Sequence, residues 1–144
     1  MESIEIQFDL YSTDVNIPLG FCAKINDKII IDTNHVIEPQ TVKTTQYLET
    51  GEHDLKLSLY NKSIEHTTLD KNNNITHDAR LVVKNLYINQ QQLDQVLYEN
   101  STYYHDFNGN ANQIQDKFYG QLGCNGTVEL KFKVPSYIWF LEVC

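Results

Sequence analysis

A chain of 144 residues has the length of one ordinary domain, and its 41% hydrophobic residues, spread along the whole length, suit a single buried core. The net charge is −8, and its 11 Lys and Arg are scattered without a run, which excludes the cationic field that nucleic-acid backbones require. No span approaches the ~18 apolar residues of a membrane helix, and Met1-Glu2-Ser3-Ile4-Glu5 lacks the basic start and apolar stretch of a secretory leader.

Alternation with period two dominates the chain. Ile4, Ile6, Phe8 and Leu10 alternate with polar residues and predict a strand with one apolar face. Ser12-Thr13-Asp14, with Asn16 and Pro18, marks the turn after it. Residues 21–25 and 29–31 flank Asn26-Asp27-Lys28, which tolerates a tight turn, so a β-hairpin is expected. Pro39 can open a paired strand but not sit inside one, and the Thr-, Val- and Tyr-rich run 41–48 supplies the next. Beyond Thr50-Gly51-Glu52, Leu55, Leu57 and Leu59 alternate with Asp54, Lys56 and Ser58. Residues 80–88 form a further strand whose apolar phase changes near Lys84-Asn85, as a bulge would cause. Leu93, Val96 and Leu97 stand at i, i+3 and i+4, which suits a short helix within 91–97. Residues 126–134 alternate again, and Tyr137-Ile138-Trp139-Phe140-Leu141 reads as a last apolar strand with Trp139 and Phe140 on opposite faces.

About eight or nine short strands, with at most one short helix and no repeat or linker, predict an all-β chain. The expected architecture is one antiparallel β-sandwich domain over 1–144, with jelly-roll topology favoured. An immunoglobulin sandwich does not suit, because Trp139 follows Cys22 and Cys124 instead of lying between them. Cys22, Cys124 and Cys144 are odd in number and widely spaced, which points to reduced thiols.

Asp70, Asn72, Asn74 and Asp78 place oxygen side chains at i, i+2, i+4 and i+8, the opening spacing of an acyclic calcium loop. Ile75 stands where that loop needs glycine, and Leu81 where a bidentate glutamate would close the shell, so a long hairpin turn competes with a metal site. Asp9, Asp14, Asp27 and Asp32 are a second acidic set that binds a cation only if the fold gathers them. His35, His53, His66, His77 and His105 show neither HxH nor HExxH spacing, which argues against a cupin or zincin centre. His105-Asp106 has the makings of half an acid–base pair, and Cys124 is a candidate nucleophile. Nothing local joins them, so no catalytic residue is assigned.

Nine Tyr, six Phe and one Trp are many for this length, and Tyr103, Tyr104, Phe107, Phe118 and Tyr119 fall in an irregular region beside Asn, Asp and Gln. Ring faces cover sugar C–H groups while amides and carboxylates bond the hydroxyls; the same residues also serve protein interfaces or pack as an auxiliary core. The candidate ligand-binding residues are Tyr103, Tyr104, His105, Asp106, Phe118 and Tyr119, in loops 103–108 and 118–125.

Three groups of motifs carry a resemblance. They are Asp9-Leu10-Tyr11-Ser12-Thr13-Asp14 with Pro18-Leu19-Gly20-Phe21; Gly51-Glu52-His53-Asp54-Leu55-Lys56-Leu57; and His105-Asp106-Phe107-Asn108-Gly109 with Asp116-Lys117-Phe118-Tyr119-Gly120 and Gly123-Cys124-Asn125-Gly126-Thr127. Together they resemble small jelly-roll-like proteins of tailed phages of marine cyanobacteria, over most of the chain. That resemblance implies a viral setting, in the virion or the host cytoplasm, and transfers no residue-level role. At the level of architecture the chain is also similar to calcium-dependent carbohydrate-binding modules. The first functional expectation is a non-enzymatic, virion-associated interaction protein, a capsid decoration or a tail or neck accessory, partnered by a viral structural protein or by its own copies. The alternative is a carbohydrate-binding module that attaches to host glycans, with calcium assisting but no cofactor required. A small hydrolase comes third. Neither nucleic acid nor membrane is an expected partner.

Overall fold

Burial of alternate side chains turns the period-two segments into paired strands, since one face of each must leave water. The computed structural model describes residues 1–63, 67–107, 109 and 112–144, without the side chain of Thr76. His66 and Asn108, named above, lie outside the described residues. The order is β1 (Glu2–Ser12), β2 (Gly20–Ile25), β3 (Lys28–Thr33), β4 (Gln40–Leu48), β5 (Gly51–Tyr60), β6 (Thr67–Leu69), β7 (Ile75–Asp78), β8 (Leu81–Ile88), β9 (Gln91–Gln92), α1 (Asp94–Asn100), β10 (Thr102–His105), β11 (Ile114–Asp116), β12 (Gln121–Leu122), β13 (Gly126–Val134) and α2 (Ser136–Val143).

Two antiparallel sheets form a β-sandwich. One runs β12-β8-β1-β4, with β9 also on β8; the other runs β11-β10-β13-β5-β2-β3, and β6-β7 is a separate hairpin. Ile4, Ile6, Phe8 and Leu10 of β1 and Leu81, Val83, Leu86 and Ile88 of β8 are buried in one core with Leu55, Leu57 and Leu59 of β5 and Val128, Leu130 and Phe132 of β13. Phe8 of the first sheet meets Phe21 of the second edge-on, with ring centroids 6.0 Å apart.

The phase change in β8 is a bulge. Gln7 pairs with Tyr87 but Asp9 with Lys84, so two residues of β8 oppose Phe8 alone, and Asn85 adopts φ 56°. The bulge turns two backbone N–H groups outward, and Asp94 at the start of α1 accepts both, from Asn85 at 2.9 Å and Leu86 at 2.7 Å. This explains why the helix begins at Asp94, later than the apolar spacing alone suggests, while Gln91 and Gln92 pair with β8 as β9.

Two expectations need correction. Residues 137–141 are not a strand: Pro135 ends β13, and α2 follows, so the described residues hold two short helices instead of at most one. Trp139 is buried, and Phe140 and Val143 pack beside it at the adjoining helical positions, while Tyr137, Ile138 and Leu141 face out. A run that is apolar at every position shows no period, so side-chain type alone points to a strand. The strand count is also thirteen among the described residues instead of eight or nine, because two- and three-residue edge strands such as β9, β11 and β12 are too short to show alternation. No helix of the described residues is long and apolar enough to cross a membrane.

Candidate functional site

The sheets are open along one side, where β11 and β12 are the edges of opposite sheets. Residues 117–120 cross that opening. Lys117 leaves β11, Phe118 turns inward, and the Gly120 carbonyl accepts the Val83 N–H of β8 at 2.9 Å, after which β12 pairs with β8. Phe118 is 0% exposed and packs edge-on against Tyr103 of β10 and Tyr98 of α1, with centroids 6.3 and 6.4 Å away. Tyr119, the next residue, is 71% exposed and lies 6.4 Å from Tyr98.

A groove of about 540 Å³ lies beside this connector, lined by Tyr103, His105, Phe107, Asp116, Lys117, Tyr119, Gln121, Gly123 and Cys124. Its floor is a polar network set among aromatic rings. The Tyr103 hydroxyl donates to the Cys124 carbonyl and accepts the Cys124 N–H at 3.0 Å, and burial pushes its pKa well above the usual phenol range. His105 is buried between Tyr103 and Phe107, at ring distances of 4.7 and 4.8 Å. Its Nδ1 accepts the Phe107 N–H at 3.4 Å, which assigns the ring proton to Nε2, the donor to Asp116 Oδ2 at 3.3 Å. The Lys117 N–H, and then His105, hold the Asp116 carboxyl below its usual range, so it stays an acceptor in the groove wall.

Backbone closeness fixes the other wall. Gly126 of β13 pairs with His105 of β10, and a Cβ at 126 would stand 2.2 Å from the Tyr104 carbonyl oxygen, so no side chain fits there. The loop 123–125 is tied down by Lys62, whose backbone N–H donates to Asn125 Oδ1 at 2.9 Å and whose carbonyl accepts Asn125 Nδ2 at 2.7 Å. The Lys62 ammonium, 1% exposed, bonds the Asp78 carboxylate and the Gly123 carbonyl, and Thr67 Oγ1 donates to the same Asp78 oxygen at 2.6 Å.

Of the six expected ligand-binding residues, the structure brings Tyr103, His105 and Tyr119 to the groove. Phe118 supports it from beneath. Tyr104 faces the opposite side of β10, as strand alternation requires. Asp106 Oδ1 accepts the Gly109 N–H at 2.8 Å and shapes the turn. Phe107, Asp116, Lys117 and Gln121 join the lining; Phe107 stands out among the loop aromatics of the sequence, whereas the others carry no local signal because the groove forms only when two sheet edges meet.

Donor chemistry shows how the candidate calcium residues are placed. Asp70 Oδ1 accepts the N–H groups of Asn72 and Asn74 at 2.8 and 2.9 Å, and these bonds lower its pKa; Asp78 is taken by Lys62 and Thr67. The N-terminal acids have partners of their own: Asp9 accepts Asn85 and Thr41, Asp14 meets His77, Asp27 lies 3.9 Å from Lys56, and Asp32 accepts the Tyr60 hydroxyl. No group of three or more His, Cys, Asp or Glu side chains is placed to hold a metal ion among the described residues. These residues do not fit the six to eight converging oxygens that calcium takes.

Acid–base chemistry at Cys124 is also disfavoured. Burial raises its thiol pKa against the lowering effect of Lys62, and both ring nitrogens of His105 are committed, to Phe107 and to Asp116 instead of the neighbouring Asp106.

No protein-family model matches the chain, and no curated protein does. Among solved structures it matches the selenomethionine form of vCBM60, from work describing an evolutionary link between two families of calcium-dependent carbohydrate binding modules, with TM-score 0.53 and 15% identity over 88% of this chain and 89% of that one. vCBM60 in complex with galactobiose matches with TM-score 0.44 and 14% identity over 88% of this chain and 96% of that one. At 15% identity the first match establishes a shared β-sandwich fold.

Proposed function

We propose that the protein binds a carbohydrate non-covalently in the groove between β10, β11 and the 117–124 segment. The observation that carries this reading is Tyr119, largely exposed on a rigid support beside a wall of fixed polar groups. The Tyr119 ring stacks on a sugar face, Phe107 borders the same groove, and Asp116, Lys117 and Gln121 meet hydroxyl groups. The sandwich fold shared with a carbohydrate-binding module supports the reading at the level of architecture.

A glycan array, followed by titration of the best hit, tests the proposal. Tyr119→Ala is expected to weaken binding about tenfold, the loss of about 1.4 kcal/mol that one stacking face contributes. Chelator should leave the affinity unchanged. A blank array, or full affinity in Tyr119→Ala, removes this site.

A second reading, a protein-binding module, is favoured by α2. Tyr137, Ile138 and Leu141 are exposed together on one helical face, an apolar surface of the kind proteins bury against partners. The resemblance to phage proteins makes a virion component the partner to test. Mass spectrometry of purified particles should then find the chain at a stoichiometric copy number, and its absence from particles rules this reading out.

A further inference from the structure

Arg80 stands behind the groove with an incompletely used guanidinium. Its backbone is locked to the end of β1: the Thr13 N–H donates to the Arg80 carbonyl, and the Arg80 N–H donates to Thr13 Oγ1, both at 2.9 Å. Of its five side-chain N–H donors, the guanidinium commits Nη1 to Gln121 Oε1 at 2.5 Å. Nε is buried without a partner, the one such side-chain atom among the described residues. Nη2 has no partner there either and is not buried, and Arg80 forms no ion pair among the described residues. Because arginine only donates, Gln121 must turn its oxygen to Arg80, which leaves its NH₂ for the groove.

A second cavity of about 470 Å³ lies on the other side of this bond, lined by Thr13, Ile75, His77, Asp78 and Arg80. The two cavities share a wall. Gly123 lines the groove, and a Cβ there would lie 3.7 Å from Arg80 Cγ and 3.8 Å from Asp78 Oδ2. The carboxylates nearest this cavity are already engaged, Asp78 by Lys62 and Thr67 and Asp14 by His77 at 3.0 Å. Among the described residues this leaves the Arg80 guanidinium without an ion pair, next to a sugar-sized groove. A planar guanidinium matches the geometry of a carboxylate.

We propose that the binding groove continues past Gln121 into this cavity, and that the continuation takes an acidic sugar residue whose carboxylate is bonded by Arg80. The proposal rests on the carbohydrate-binding reading and names the class of glycan. A neutral glycan offers the guanidinium only hydroxyl acceptors, whereas a uronate offers a planar carboxylate that also pairs with its charge.

Calorimetric titration with trigalacturonate and with its fully methyl-esterified form, both in chelator, compares the same rings with and without the charge. The native protein is expected to bind the acid at least about tenfold more tightly than the ester, as a charge-assisted hydrogen bond implies. In Arg80→Gln the acid-to-ester ratio should fall below about threefold. Equal binding of acid and ester by the native protein overturns the inference and leaves neutral glycan binding standing. So does a preference that survives in Arg80→Gln. If neither form binds, the inference fails, and the glycan array decides separately whether carbohydrate binding fails with it. Should Arg80→Gln not fold, Arg80→Lys, which lacks the planar fork, takes its place with the same fall in the acid-to-ester ratio expected.

Discussion

Phe118→Ala is expected to lower the unfolding free energy by about 3–5 kcal/mol, the cost of emptying a fully buried aromatic site that cannot collapse. The site is rigid because Phe118 closes the opening between the sheets, edge-on to Tyr98 and Tyr103. Its backbone neighbours Lys117 and Tyr119 both line the groove, so the same substitution should also weaken ligand binding. Phe118→Leu retains most of the volume and should cost less than about 2 kcal/mol. Urea denaturation of the three proteins measures both differences. A loss below about 1 kcal/mol in Phe118→Ala would mean that the connector is not a plug and that the groove does not depend on it.

Lys62→Met carries the second large effect. Removing one member of a buried ion pair typically costs about 3–5 kcal/mol, because the other charge is left without compensation. Here Asp78 is 21% exposed and retains the Thr67 hydroxyl, which places the expected loss near the low end, about 3 kcal/mol. The Gly123 carbonyl loses its partner as well, so the loop that walls the groove loosens. In the double variant Lys62→Met, Asp78→Leu the stranded charge is gone, and the summed single losses should exceed the double loss by about 1–3 kcal/mol. Strict additivity in a double-mutant cycle would show that the two side chains do not act as a pair.

The β1 alternation, the hairpin at Asn26-Asp27, the run 41–48 and the bulge near Lys84-Asn85 are all legible in the sequence, because each shows in the spacing of apolar residues within one segment. The segment 137–141 is not. Its side chains favour a strand, but Pro135 ends β13, and packing of Trp139, Phe140 and Val143 on the core sets the helical arrangement. The Asp70 loop shows the same limit in its chemistry. Oxygen spacing suggests converging ligands, yet Asp70 caps its own turn and Asp78 neutralises a lysine sixteen positions away, a partner that spacing does not reveal.

The sequence by itself determined which faces are buried and therefore that the chain forms an antiparallel sandwich, since alternation is local and each apolar face must find another. It also placed Tyr103, His105 and Tyr119 among the candidate binding residues. Only the tertiary structure decided that Phe118 is support, that Tyr104 faces away, and that Asp116, Lys117 and Gln121 complete the groove beside Arg80. The physical reason is that this groove lies between edges of opposite sheets. Its walls meet through long-range pairing and a crossing connector, and these decide which polar groups are bonded within the fold and which face the groove.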